Sequence, residues 1–252
     1  MKKLLLISLL APMLAWANPI DDKCPQFTYQ GAPVSTLADS KGQYLCKMNY
    51  AIRYNYTTKT PEYVVEHPTK AVFTGPAKRK DNFHADASIP SQYSAHLSDY
   101  DLTYDRGHMV PADDNTQSDA IMSESFTLAN MVPQVPNNNR GIWKQLETQV
   151  RKWVIGGKDI YVSSGPIYDK GYKTIGAGVG VPTRLFKVVF NKTDNIAIAF
   201  LMPNTELVVK DLPKYATTVD AVEKATGLKF MPKATSTTIK TTIPNLAKWP
   251  GL

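Results

Sequence analysis

Asp105-Arg106-Gly107-His108-Met109-Val110-Pro111-Ala112 is the stretch on which the reading of this chain turns. An arginine supplies a fixed positive fork suited to phosphate oxygens. The glycine after it lets backbone come close or turn sharply. A histidine titrating near neutrality can take a proton from water. A tetrapeptide alone is a weak signal, and the chain has three other histidines, His67, His84 and His96. Downstream residues strengthen it. Asn139 and Glu147 fall on a segment whose Ile142, Trp143, Leu146, Val150, Trp153 and Val154 recur at helical spacing. Together these side chains can activate a water, neutralise a phosphate and hold a divalent cation, the chemistry of phosphodiester hydrolysis.

Working outward, Asn137 or Asn138 is placed to cap that helix, and Gly156-Gly157 to stop it. On a helical wheel Glu147 and Arg151 lie side by side at the margin of the apolar stripe. Alone, they would read as an i,i+4 surface ion pair. Leu45–Tyr54 alternates as a strand, Glu62–Glu66 suits another, and Ser125–Ala129 reads as a short strand before Pro133 and Pro136. Ile160–Ser163, Arg184–Asn191 and Asn195–Met202 read as buried strands, the last two forming a hairpin near Lys192-Thr193-Asp194. A second helix spans Val219–Thr226 and ends at Gly227. Gln26–Lys41 is rich in turn formers and expected to wrap the surface, and residues 75–104 are expected to be mostly loop. Strands and helices that do not strictly alternate predict an α+β fold, a central antiparallel or mixed β-sheet flanked by helices.

Met1-Lys2-Lys3, the apolar run Leu4–Leu14 and Ala15-Trp16-Ala17 describe a secretory signal peptide over residues 1–17. The run is short for a membrane span, and polar residues interrupt every later one, so no membrane association is expected after cleavage. The rest, residues 18–252, has no linker, repeat or charge block and reads as one domain. The 252-residue chain carries +7; losing Lys2 and Lys3 leaves 27 basic against 22 acidic residues, or +5. That modest surplus favours a polyanionic partner without proving one. Cys24 and Cys46, the only cysteines, read as one disulfide in an exported protein, periplasmic or extracellular.

Tyr104–Ala112 resembles the DRGH signature of the DNA/RNA non-specific endonucleases, a family of the ββα-metal nuclease superfamily. Leu128–Gln134 resembles that family's "SN-x-x-PQ" segment, and Asn139–Glu147 its "N-x-x-x-W-x-x-L-E" helix. The likeness runs from about Asn55 to Phe230 and is densest over residues 105–151. It implies a ββα-metal active-site motif, with His108 as general base and Asn139 as the ligand of Mg2+, Mn2+ or another divalent cation. It further implies that Asn130 supports the histidine, that Glu147 and Arg151 order water at the metal and bind phosphate, and that Arg106 faces phosphate. Arg79 matches another family arginine, on looser spacing. Met109 departs mildly from the family, which often has a small residue soon after the histidine. The implied function is cleavage of DNA and RNA through phosphate contacts, leaving 5′-phosphate ends, and the resemblance leaves room for a homodimer. Phosphate contacts carry no base information, and no base-reading motif is evident. The competing reading is a protein that captures nucleic acid on a nuclease fold with little turnover. Chemically competent residues at every implied catalytic position argue against it.

Overall fold

Period-two alternation of apolar residues builds a sheet buried on both faces. The computed structural model describes residues 18–36 and 41–252, so the expected signal peptide lies outside the described residues. Its main strands are β1 (Gly42–Cys46), β2 (Tyr50–Asn55), β3 (Thr60–Glu66), β4 (Asp105–His108), β5 (Met131–Gln134), β6 (Ile160–Ile167), β7 (Arg184–Asn191), β8 (Ile196–Pro203) and β9 (Ala216–Thr217). The main helices are α1 (Asp119–Ser125), α2 (Lys144–Ile155) and α3 (Val219–Thr226). Seven strands form one antiparallel sheet in the order β9-β8-β7-β6-β3-β2-β1. The fold is α+β.

Successive residues of each strand serve opposite cores. Ile52, Val64, Val162, Leu185, Val189 and Phe200 pack with Leu146, Val150 and Trp153 of α2. Their neighbours Ala51, Tyr63, Val65, Phe186, Val188 and Ala199 pack with Val219 and Val222 of α3 and with the N-terminal residues Ile20, Cys24 and Phe27. The segment around Gln26 therefore covers a sheet face and is more than a surface wrap. Cys24 and Cys46 form the disulfide that ties it to the edge strand β1.

Three other expectations are corrected. Leu45–Tyr54 is two strands, because the chain turns at Lys47–Asn49 and the Asn49 amide donates to Asn115 Oδ1 (3.1 Å) and Gln117 Oε1 (2.9 Å). Ser125–Ala129 is not a strand. Ser118 caps α1, Oγ accepting from Ile121 N at 3.2 Å, and a 3-10 turn follows over Leu128–Asn130, so extended structure begins at Met131. Finally, neither Asn137 nor Asn138 caps the long helix with its side chain. The helix opens with π-type turns over Asn138–Trp143. Asn138 accepts from Gln134 Nε2 (2.8 Å) and donates to the carbonyls of Pro203 and Thr205. Gly156, Gly157 and Gly227 end their helices as expected, Gly227 with φ 71°.

Candidate active site

β4 and β5 pair antiparallel, with His108 opposite Met131 and Asp105 opposite Gln134. The chain then enters the Asn138–Ile155 helical segment, completing a ββα unit beside the main sheet. Gly107 is required by close approach. A Cβ there would lie 2.1 Å from Gln134 Oε1, and Gln134 is fully buried.

A cleft of about 660 Å³ opens along this unit, lined among others by Arg79, Arg106, His108, Asp113, Asn139, Lys144 and Glu147. His108 is 8% exposed, and its Nε2 has no hydrogen-bond partner among the described residues. The ring meets Phe126 edge-on with centroids 5.0 Å apart, and Phe83 at 5.7 Å. Burial among these rings, with the Arg79 charge adding to it, pushes the imidazole down to about 3. It is therefore neutral at ordinary pH. The same two phenylalanines seat the arginines: Arg106 lies 4.4 Å over Phe83 and Arg79 lies 5.0 Å over Phe126.

Asn139 donates Nδ2 to Asp105 Oδ2 at 2.8 Å, and Arg140 grips the same carboxylate through Nε (2.8 Å) and Nη2 (2.5 Å). With the amide nitrogen committed, Oδ1 is the atom Asn139 can offer a cation. Glu147 adds a carboxylate to the cleft wall. Neutral and anionic oxygens suit Mg2+, which keeps most of its water and needs few protein ligands. Among the described residues no cluster of three or more His, Cys, Asp or Glu side chains is arranged to hold a metal. The donor set fits a cation held by one amide oxygen and its own waters.

Glu147 is pushed up to about 7, chiefly by burial, with Lys187 and then Arg151 opposing and Asp114 and Asp113 adding to the rise. Asn130 is fully buried and does not line the cleft. Its Nδ2 donates to the carbonyls of Val110 and Ser125, both at 2.9 Å, and its Oδ1 accepts from Val110 N at 3.0 Å. It thus fixes the backbone leaving His108. Arg151, expected to bind phosphate, lies behind the cleft: Nη1 meets Asp114 Oδ1 at 3.0 Å and Nη2 meets Asp113 Oδ2 at 3.5 Å. Those aspartates, and not Glu147, are its ion-pair partners. Four contributors escaped the sequence reading: Phe83, Phe126, Asp113, and the site role of Trp143, whose Nε1 donates to the His108 carbonyl at 3.2 Å. Asp113, five residues after His108, and Trp143, inside the Asn139–Glu147 motif, had a local signal.

Residues 30–236 match the sequence pattern of the DNA/RNA non-specific endonuclease family. The chain belongs to that family. It is similar to a protein of Danio rerio named "Nuclease EXOG, mitochondrial", 36% identical over 73% of this chain and 59% of that one. A Nostoc sp. protein named "Nuclease" is 30% identical over 89% of this chain and 91% of its own length. The chain thus spans under two thirds of the EXOG relatives but nearly all of the Nostoc one. Among solved structures, a chain in the crystal structure of the EndoG/EndoGI complex superposes with a TM-score of 0.75 at 28% identity, covering 83% of this chain and 91% of that one.

Proposed function

We propose that this protein is an exported, divalent-metal-dependent endonuclease that hydrolyses phosphodiester bonds of DNA and RNA without regard to sequence. The observation that carries the proposal is the single cleft that joins His108, two arginines and the Asn139 amide. A neutral imidazole with an unpartnered Nε2 accepts a proton from attacking water. Arg79 and Arg106 oppose the charge that develops on the phosphoryl group. Glu147 accepts a hydrogen bond from water in the cleft. Mg2+ held through Asn139 Oδ1 would neutralise charge on a phosphate oxygen and on the departing 3′ oxygen. The products are 5′-phosphate and 3′-hydroxyl ends. Arg79, Arg106, Arg140 and Lys144 line the cleft beside five carboxylates; contacts of the arginines fall on phosphate and bind the polymer without reading base edges.

Export is supported by the basic-apolar-small pattern of residues 1–17 and by a disulfide that suits an oxidising compartment, periplasmic or extracellular.

Mature protein incubated with supercoiled plasmid and Mg2+ should nick and linearise it, and a chelator should stop the reaction. His108→Ala should lose activity by on the order of 10²–10⁴-fold while retaining wild-type affinity in a filter-binding assay. Retarded but intact plasmid with the wild-type protein would instead show a protein that only captures nucleic acid.

A further inference from the structure

At the end of β3 a carboxylate is buried without a hydrogen-bonding partner. Glu66 closes that strand on the same sheet face as Val64 and is 3% exposed. Among the described residues it makes neither a hydrogen bond nor an ion pair. The buried cation Lys187, mid-strand in β7, is engaged elsewhere. Its Nζ donates to Ser164 Oγ at 2.8 Å and lies 4.7 Å from the centroid of the Trp143 ring. A carboxylate withdrawn from water in this way is unfavourable unless donors or a cation meet it.

Glu66 lines a pocket of about 250 Å³ that shares no lining residue with the cleft. Asp114, equally buried, lines the same pocket. Its Oδ1 takes a hydrogen from Arg151 Nη1 at 3.0 Å, whereas Oδ2 accepts no hydrogen bond among the described residues, and Arg151 is divided between Asp114 and Asp113. No lysine or arginine is among the described residues that line the pocket. Thr69 does not cap the Lys70–Phe73 turn with its side chain, which leaves that hydroxyl to the pocket, and Phe27, Pro68 and Val72 give it an apolar wall. Burial raises Glu66, Asp114 and Glu147 add to the rise, and Lys187 and Arg151 oppose it, so its ionised form calls for a further positive charge.

The donor set narrows the kind of cation. Among the described residues no three His, Cys, Asp or Glu side chains are arranged to hold a metal ion. An ammonium group needs no such cage, because it carries three N–H donors of its own. We infer that this pocket is a binding site for a small aliphatic primary amine in its protonated form, whose ammonium donates to Glu66 and to Asp114 Oδ2 while its carbon chain lies against Phe27 and Val72. The site goes beyond the nuclease reading and does not depend on it.

The test uses n-butylammonium chloride as the probe, with tetramethylammonium chloride at equal concentration as a cation that has no N–H. Calorimetric titration of the full mature chain, near pH 8.5 and without divalent metal, should show saturable binding of butylammonium and none of tetramethylammonium. Glu66→Gln keeps the shape of the side chain and removes its charge, and should weaken that binding by about tenfold or more. Intermolecular NOEs should join the methylenes of the probe to the Val72 methyls and the Phe27 ring. Thermal unfolding checks that Glu66→Gln is folded; if it is not, the NOEs on wild type decide. Three results overturn the inference: no saturation across the millimolar range, equal affinity in folded Glu66→Gln, or NOEs that fall on cleft residues such as Tyr104 in place of Val72 and Phe27.

Discussion

His108 shows how surroundings hold a common side chain neutral. Phe83 and Phe126 remove water from the ring, and Arg79 adds a repelling charge, so the folded imidazole resists protonation. Linkage sets the sign of the consequence. The folded group sits at about 3 and an unfolded histidine near 6.5, so its share of stability is complete above pH 6.5 and is lost as pH falls toward 3. His108→Ala removes that dependence. Between pH 6.5 and 4, wild type should therefore lose roughly 1 kcal/mol per pH unit more than the variant in urea titrations. Parallel stability profiles would show that the imidazole is not held neutral by the fold. Asp105 argues similarly for orientation. It takes the Asn139 Nδ2 hydrogen and so selects which end of the amide is left for a cation. Asp105→Ala should raise the Mg2+ concentration for half-maximal cleavage on the order of tenfold; an unchanged metal titration would place the cation elsewhere.

At the scale of elements, the β4–β5 hairpin and the helix after it behave as one unit because Gln134 sits between them. Its side chain occupies the space a Cβ on Gly107 would need, and its Nε2 donates to Asn138 at the start of the helical segment. A side chain at position 107 would push on that connection and on the flanking Arg106 and His108. Gly107→Ala is expected to cost about 1–3 kcal/mol, read as a lower urea midpoint, and to reduce cleavage. A variant with wild-type stability and rate would mean that Gln134 can move aside freely. The π-type opening of the helix is bound to the same unit. It is fastened by Asn138 to the carbonyls of Pro203 and Thr205 at the end of β8, so the ββα unit is referenced to the main sheet.

Across the whole molecule, the sheet separates two cores, and the cleft belongs to only one side. α2 carries Trp143's neighbour Glu147 to the cleft while its apolar face covers the sheet. On the opposite face the N-terminal residues are stapled to β1 by Cys24–Cys46, a sequence separation of 22. Closing a loop of that size limits the unfolded chain and is worth about 3 kcal/mol. Replacing both cysteines by serine should lower Tm by roughly 6–12 °C. Because the staple lies on the face away from α2, plasmid cleavage at 25 °C should be preserved. Equal melting temperatures would show that burial of Ile20 and Phe27 suffices without the bond.

Periodicity and punctuation were readable directly. The apolar stripe from Ile142 to Val154, the stop at Gly227 and the β7–β8 hairpin follow from local chemistry that needs no distant partner. The motif around His108 likewise marked the family to which the chain belongs. Other features depend on contacts made far along the chain. Asn49 turns where residues 115 and 117 receive it, and Asn130 serves backbone and not the imidazole. Arg151 is drawn to Asp113 and Asp114 instead of to Glu147 four residues away, and Lys187 finds Trp143. Sequence alone determined the helix and strand signals and the candidate site residues. Tertiary structure decided their orientation, charge state and partners, because desolvation and Coulomb interaction depend on distances that only the folded chain sets.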